Sequence, residues 1–502
     1  NGEEQVPYMG VGKHAPTGRK YGPPIRSARD YPANGDKRVP DLVTALRKCG
    51  LRDGMTISTH HHLRNGDAVA AMALAAAAEL GVKDLRWFPS ASFPNQAAQV
   101  IPLLESGVLH HIEGSMNGPI GEYTSRGKMR GIGVLRSHGG RWQAIQDGEV
   151  HIDIAVIAAP TADPFGNADG SHGKSACGSL GFALADSMYA DHVIVVTDEL
   201  VPFPCIPWQI QGNYVDYVVE VESIGDPAKI VSGTTEITRS PDRLLIAEYI
   251  ARFVRDAGIL RDGFSFQAGA GGTSLAFVPF LKEIMKETGV RARFVRGGST
   301  KYLVELLEEG LTDYILDGQT FDLAAVRSIA SNPRHVATSP FTSYNYHGKG
   351  CFASMVDFAV LGATEVDVDF RANVVTHSDG LLLHGIGGWQ NCLFAGCTIL
   401  AVPSFRDRIP VIVDEVTTVT GPGELIDVVV TERGIAVNPR RTDLLENLRG
   451  STLPIRPIQD IKAEVEAMIG GKPAKPKLLD RPVAVIKWVD GTLIDTVWQV
   501  AE

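Results

Sequence analysis

Short apolar runs recur along the chain, each followed by a polar, glycine-bearing turn and then by a stretch with helical spacing. Residues 55–59, 85–88, 152–158 and 192–197 have the length and apolar density of strands in a covered sheet. Residues 40–48, 67–80 and 96–106 read as helices, with Asp67 placed to cap the second and Gly81 to stop it. The order then repeats. Residues 243–256 carry Leu244, Leu245, Ala247, Ile250, Ala251 and Val254 on one helical stripe. A strand at 264–267, a helix capped by Thr273 and running to 288, a strand at 292–296 and a helix at 301–309 follow. Strands alternating with helices predict an α/β fold on mostly parallel sheets. Near the end, 483–488 and 493–500 flank Asp490-Gly491, which predicts a β-hairpin.

The repetition extends to the residues themselves. Leu51-Arg52-Asp53-Gly54 recurs as Leu260-Arg261-Asp262-Gly263, and Gly81-Val82 as Gly289-Val290. The offset is 209 at the Asp-Gly pairs and 208 at the Gly-Val pairs. That period is the size of a domain, not of a solenoid repeat. Val195-Val196-Thr197-Asp198 is echoed later by Val429-Val430-Thr431-Glu432. The expected organisation is a Gly/Pro-rich arm at 1–40, like domains at 41–235 and 236–470, and a linker with the hairpin at 471–502. Two like domains, each ending a strand in a polar loop, predict one active site between them.

Composition excludes several classes. The 502 residues are 44% hydrophobic and 21% charged, as in an ordinary globular protein. A formal net charge of -10 argues against sequence-independent binding of nucleic acid. No apolar run reaches the roughly 18 residues of a membrane span, and no secretory leader is legible. The cysteines, Cys49, Cys177, Cys205, Cys351, Cys392 and Cys397, form no C-x-x-C pair and no zinc spacing. Free thiols in a reducing cytoplasm and no metal site are the expectation.

Gln267-Ala268-Gly269-Ala270-Gly271-Gly272-Thr273 is the sharpest local feature. Glycines at a strand end let the backbone approach a ligand, and the following helix aims free N–H groups and its positive end at the same spot. Such a nest suits a phosphate or a thioester oxyanion; the other reading is a plain tight turn. In the first unit the matching loop runs from Thr59 to Asp67 and contains His60, His61, His62 and Arg64. Adjacent histidines point apart on a strand, which is poor metal geometry. Arg64 and one histidine could hold a carboxylate, or the loop is structural. Ser137-His138-Gly139-Gly140-Arg141 and Ser171-His172-Gly173-Lys174 read mainly as loop structure. Gly385-Ile386-Gly387-Gly388, just after His377-Ser378-Asp379-Gly380, reads as the lip of a site. Thr431-Glu432-Arg433-Gly434 ends an apolar strand, where an ion pair explains it equally well.

Taken together, Gly54 to Asp67, Ser137 to Arg141, Phe165-Gly166-Asn167-Ala168-Asp169-Gly170, Cys177-Gly178-Ser179-Leu180-Gly181, Gln267 to Ala276, Ser378-Asp379-Gly380 and Gly434-Ile435-Ala436-Val437-Asn438-Pro439 resemble the alpha subunit of citrate lyase. The resemblance spans about Leu42 to Glu502. More widely, the Thr431-Glu432 segment resembles the coenzyme A transferase superfamily. That implies two domains of the fold of ribose-5-phosphate isomerase, with the site between them. It implies exchange of a carrier-bound acetyl thioester with citrate, giving acetate and a citryl thioester that a separate beta subunit cleaves. The implied partners are the beta subunit and the gamma subunit, an acyl carrier protein whose CoA-like arm, or free acetyl-CoA, is substrate rather than resident cofactor. Assembly as an oligomer is expected as well.

On that reading Gly271, Gly272 and Asp379 are catalytic candidates, and Arg64, His61, His377 and Lys349 are candidates to hold the acid. Gln267, Gly269, Gly271, Thr273, Gly385, Gly387, Gly388 and Glu432 are candidates to hold the thioester. Other CoA transferases use a glutamate that becomes acylated; here His377-Ser378-Asp379 occupies that slot, so transfer without a covalent glutamyl intermediate is expected. Many members carry a His-Cys-Asp run where this chain has Trp389-Gln390-Asn391, which makes citramalate a rival to citrate. A stand-alone CoA-transferase, a structural scaffold subunit and a sugar-phosphate sensor are the other readings. The sensor lacks a helix-turn-helix pattern.

Overall fold

The computed structural model describes residues 1–14, 23–231, 235–346 and 349–501. Residues 15–22 of the expected arm and 232–234 at the expected domain junction lie outside these. Two sheets dominate. In the first, Thr56–Thr59 pairs in parallel with Leu85–Pro89 on one side and Ile154–Ala159 on the other. Leu109–Ile112, His192–Thr197 and Tyr217–Glu220 extend it, and Arg38–Val39 closes one edge. In the second, Phe264–Ala268 lies between Ala292–Ser299 and Phe358–Leu361. Thr312–Thr320 and His335–Ala337 extend one side, Thr398–Ala401 and Val428–Thr431 the other; Gly434–Val437 alone pairs antiparallel.

The two sheets repeat one another down to single hydrogen bonds. Asp53 accepts the Lys83 N–H at 2.8 Å, and Asp262 accepts the Arg291 N–H at 3.1 Å. Asp153 accepts the Thr56 N–H at 2.7 Å, as Asp357 accepts that of Ser265 at 2.8 Å. Gly81 and Gly289 end equivalent helices at φ of 77° and 72°, a left-handed backbone that a side chain disfavours. The sequence echo is therefore a duplication of structure.

One apolar core runs continuously from the first sheet into the second half, through Ala359, Leu361, Val366 and Trp389. A second core lies between the second sheet and the helices Pro241–Asp256 and Gly272–Thr288. The C-terminal hairpin, Leu478–Lys487 with Leu493–Val500, adds itself in parallel to Gly133–Leu135 of the first half. The start of the arm is ordered beside it: Leu493 donates to Val6 O and accepts from Tyr8 N–H, both at 2.7 Å.

Two expectations change. The helix after the glycine loop starts at Gly272, with Gly271 at the cap position and no capping side chain, so Thr273 lies inside the first turn. Ala68, not Asp67, holds the cap position of the helix Val69–Glu79; Asp67, one residue earlier, accepts the Ala70 N–H of its first turn at 3.1 Å.

Candidate functional site

Parallel α/β sheets bind ligands at the carboxyl ends of their strands, and the glycine loop sits there. Gly269 donates to Val360 O at 2.8 Å, which pins the start of the turn. Ala270 and Gly271 are exposed. The first intrahelical bond is Leu275 N–H to Gly271 O at 2.8 Å. Among the described residues the amides of Gly272, Thr273 and Ser274 have no protein acceptor, so the positive end of a 17-residue helix opens onto an exposed turn. Gln267 leads into this turn. Its side chain is buried, accepting from Arg296 and donating to the Tyr344 hydroxyl at 3.4 Å.

The first half meets the second at the carboxyl end of Thr312–Thr320, a strand of the same sheet as the glycine turn. His61 Nδ1 lies 2.6 Å from Ser90 Oγ, and its Nε2 lies 3.2 Å from Oε1 of Gln319 in the second half. Gln319 returns a bond to the His61 carbonyl at 3.3 Å. Arg64 has a φ of 54°, an uncommon value for a side chain of its size, and its guanidinium lies 4.4 Å from the Phe321 ring centre. Phe321 in turn rests on Gly298, where a Cβ would meet its ring at 1.7 Å. His138 packs at a tilt against Phe182, 4.3 Å between ring centres, and donates its backbone N–H to Gly387 O at 2.8 Å. A Cβ at Gly388 would lie 2.7 Å from the Tyr344 hydroxyl.

Beneath the histidine loop is a buried ionic network. Arg141 holds both oxygens of Asp186 at 2.6 and 2.7 Å, Ser58 donates to it at 2.6 Å, and His60 Nε2 lies 3.2 Å away. Burial opposes ionisation of Asp186, but Arg141 and His60 hold its carboxyl well below the usual range. Burial pushes His61 well below the ordinary histidine range, with His138, His62 and Arg64 adding to it. His138 is pushed down to about 3 by burial and by Arg141. Both imidazoles are neutral in the free protein. Burial lowers Arg64 only to about 10, so it keeps its charge at neutral pH. The first half thus brings one cation and two neutral imidazoles to its contact with the second half, and the second half carries the unpaired amides.

The family model described as citrate lyase, alpha subunit, matches residues 36–500. The chain belongs to the citrate lyase alpha subunit family. It is 42% identical to the citrate lyase alpha chain of Klebsiella pneumoniae over 466 residues, covering 92% of this chain and 91% of that one. It is 40% identical to that of Escherichia coli strain K12 over 472 residues, covering 94% and 92%. A structure described as an alpha subunit of citrate lyase in complex with citrate, from Streptococcus mutans, superposes with a TM-score of 0.91 at 40% identity, covering 99% and 96%. A Pseudomonas malonate decarboxylase hetero-tetramer in complex with malonate matches at 0.63 and 17% identity, covering 86% and 83%, a likeness of fold alone.

Some candidates share partners across these contacts: Gln267 and Gly388 meet at Tyr344, His61 meets Gln319, Arg64 meets Phe321, and Gly387 meets His138; Gly269, Gly271, Gly272 and Thr273 form the exposed turn that follows Gln267. Others stand apart. His377 and Asp379 are exposed on a tight turn whose Gly380 packs against Leu478 and Val500 of the hairpin. Asp379 spends one oxygen on the Leu381 N–H at 2.9 Å. Lys349 is exposed. Gly385 presses on Ser115. Glu432 is held by the Ser404 N–H at 2.9 Å, by the Ser404 hydroxyl, and by Arg433 at 3.4 Å. Gln319, Phe321, Tyr344 and Arg296 escaped sequence reading, because none belongs to a glycine-bearing loop motif that signals chemistry locally; Asn391 closes the second glycine loop, where sequence reading marked the segment but gave this residue no role. Among the described residues His151, Asp153 and Asp191 have spacing that could hold an ion; they sit at the opposite ends of the strands from the cleft.

Proposed function

We propose that this citrate lyase alpha subunit moves a thioester from acetyl to citrate, releasing acetate and forming a citryl thioester. One observation carries the reading: an uncapped helix N-terminus opens on an exposed glycine turn, and Arg64 of the other half is packed against the neighbouring strands. Citrate presents carboxylates, and its oxygen attacks the acetyl carbonyl while the C–S bond breaks. The thiolate released then attacks the citryl carbonyl, a new C–S bond forms, and acetate leaves. No net proton is consumed. Each attack puts charge on a carbonyl oxygen, and preset amides at Gly272, Thr273 and Ser274 stabilise it without reorganising. Arg64 and the imidazoles of His61 and His138 orient the acid.

The chemistry does not require an acylated glutamate. Both Glu432 oxygens are already engaged by Ser404 and Arg433. The thioester is carried by acetyl-CoA or by the CoA-like arm of a gamma subunit, and a beta subunit cleaves the product. Six unpaired cysteines fit a reducing cytoplasm. The test is direct. Full-length protein with acetyl-CoA and a panel of acids should release acetate, fastest with citrate, and mass spectrometry should find no acyl or CoA adduct on a glutamate. Release with no acid on the panel overturns the exchange, preference for citramalate reassigns the acid, and a stable glutamyl adduct overturns direct transfer.

A further inference from the structure

Arg296 is completely buried midway along the strand Ala292–Ser299. One of its N–H groups donates to Gln267 Oε1, and its guanidinium lies 4.7 Å from the Tyr344 ring centre. Its Nε and Nη2 are buried with no hydrogen-bond partner, and among the described residues no carboxylate pairs with it. Two other buried arginines differ. Arg141 meets Asp186 at 2.6 Å, and Arg136 meets Glu149 at 3.0 Å. A second donor is stranded nearby. Asn391 Oδ1 accepts the Gly139 N–H at 3.1 Å, which fixes the orientation of the amide and leaves its buried Nδ2 without an acceptor. A Cβ at Gly139 would lie 2.3 Å from that Nδ2 and 2.6 Å from Tyr344 O, so Asn391 and Tyr344 converge on one spot.

A buried charge with no counter-ion is costly, and a guanidinium does not escape by losing its proton. Stranded donors about Tyr344, those of Arg296 beside its ring and that of Asn391 near its backbone, describe a site completed by an acceptor-rich anion. We propose that Arg296, assisted by the Asn391 amide, receives a carboxylate of the small acid substrate. The assignment rests on the thioester-exchange reading above. A planar guanidinium fork matches a carboxylate in two-bond geometry. Complete enclosure beside Gln267 suits a small acid, not the large nucleotide end of a CoA.

The experiment titrates the full-length wild type, Arg296→Met and Arg296→Lys with citrate and, separately, with acetyl-CoA, by thermal shift and by steady-state kinetics. A ligand that binds the folded state raises its melting temperature by mass action. For Arg296→Met the citrate shift should vanish and the citrate KM rise by about tenfold or more, with the acetyl-CoA shift and KM kept. Arg296→Lys should fall between, since it keeps charge and loses the fork. Without ligand, Arg296→Met should melt no lower than wild type, because it removes an uncompensated charge. Wild-type citrate affinity in either variant overturns the assignment, as does equal loss of both ligands. If Arg296→Met does not fold, Arg296→Lys decides by the same ratio. A wild type that releases no acetate from acetyl-CoA and citrate overturns the functional reading itself; one that does, with variants unchanged toward citrate, overturns this assignment alone.

Discussion

At Gly271 a Cβ would meet nothing nearer than Ser274 Oγ at 3.6 Å, and φ is -86°. The backbone there does not demand glycine, so close approach of a ligand is the remaining reason for one. Gly271→Val should fold with a near-normal melting temperature and lose about 100-fold or more in kcat/KM, the cost of obstructing an oxyanion site. Normal turnover in that variant would remove the turn from catalysis. Gly272 is the contrast: a Cβ would meet Glu236 O at 2.7 Å, so substitution there reads packing instead. Arg64→Ala should raise the acid KM about tenfold and leave that of acetyl-CoA nearly unchanged; equal weakening of both would take Arg64 out of the acid site. Asp67 sets a pH dependence. Burial pushes its carboxyl up to about 7, against the pull of the Ala70 and Val69 amides and Gln96, and its Oδ1 is unpartnered. Its unfolded value is about 4, so between pH about 4 and 7 the folded protein holds the extra proton. Stability therefore falls as pH rises through that window and levels off above it. In Asp67→Asn, denaturant midpoints at about pH 5 and about pH 8 should differ less than in the wild type; an unchanged difference would mean that another group sets the slope.

Among elements, the C-terminal hairpin does more than append itself. Its first strand extends Gly133–Leu135 of the first half, and Asp495 of its second strand accepts the Val419 N–H of the second half at 2.6 Å. The arm then clamps the same strand: Val6 and Tyr8 bracket Leu493, Glu3 meets Arg86 at 2.8 Å, and the Val11 N–H reaches Glu424 at 3.0 Å. Both halves are tied through one small sheet. Removing residues 1–14 should lower the melting temperature and speed amide exchange across Leu493–Val500; unaltered exchange there would show that the arm contributes nothing to the tie. The hairpin was readable in sequence because Asp490-Gly491 is a turn signal, and Gly491 indeed has a φ of 87°. Its parallel partner was not, since Gly133–Leu135 is three residues long and too short to show a period.

At the scale of the molecule, the sheet strands were legible because a covered parallel strand is a compact apolar run, and the duplication repeated those runs. The loops proposed for the site, His61 to Arg64 and Gln267 to Thr273, were legible as candidates because each follows such a run. What joins them was not. Gln319 binding His61, and Phe321 packing on Arg64, are contacts over more than 200 positions, and nothing local records them. Three glycines of the first half mark how tightly the halves meet. A Cβ at Gly139 would strike Asn391 at 2.3 Å, one at Gly178 would strike Thr320 at 1.8 Å, and one at Gly181 would strike Thr338 O at 2.0 Å. Gly139 is the most informative of these, because its helical backbone tolerates alanine and only the neighbour across the interface objects. Gly139→Ala must then push Asn391 and Tyr344 away, and with them the Gln267 side of the cleft, while leaving each sheet intact. Far-ultraviolet dichroism should stay at the wild-type level, melting should come earlier or split into two steps, and acetate release should fall at least about tenfold. An alanine variant with full activity and one unshifted transition would show that the cleft does not depend on this contact, and that the closeness of the two halves is a matter of packing and not of chemistry.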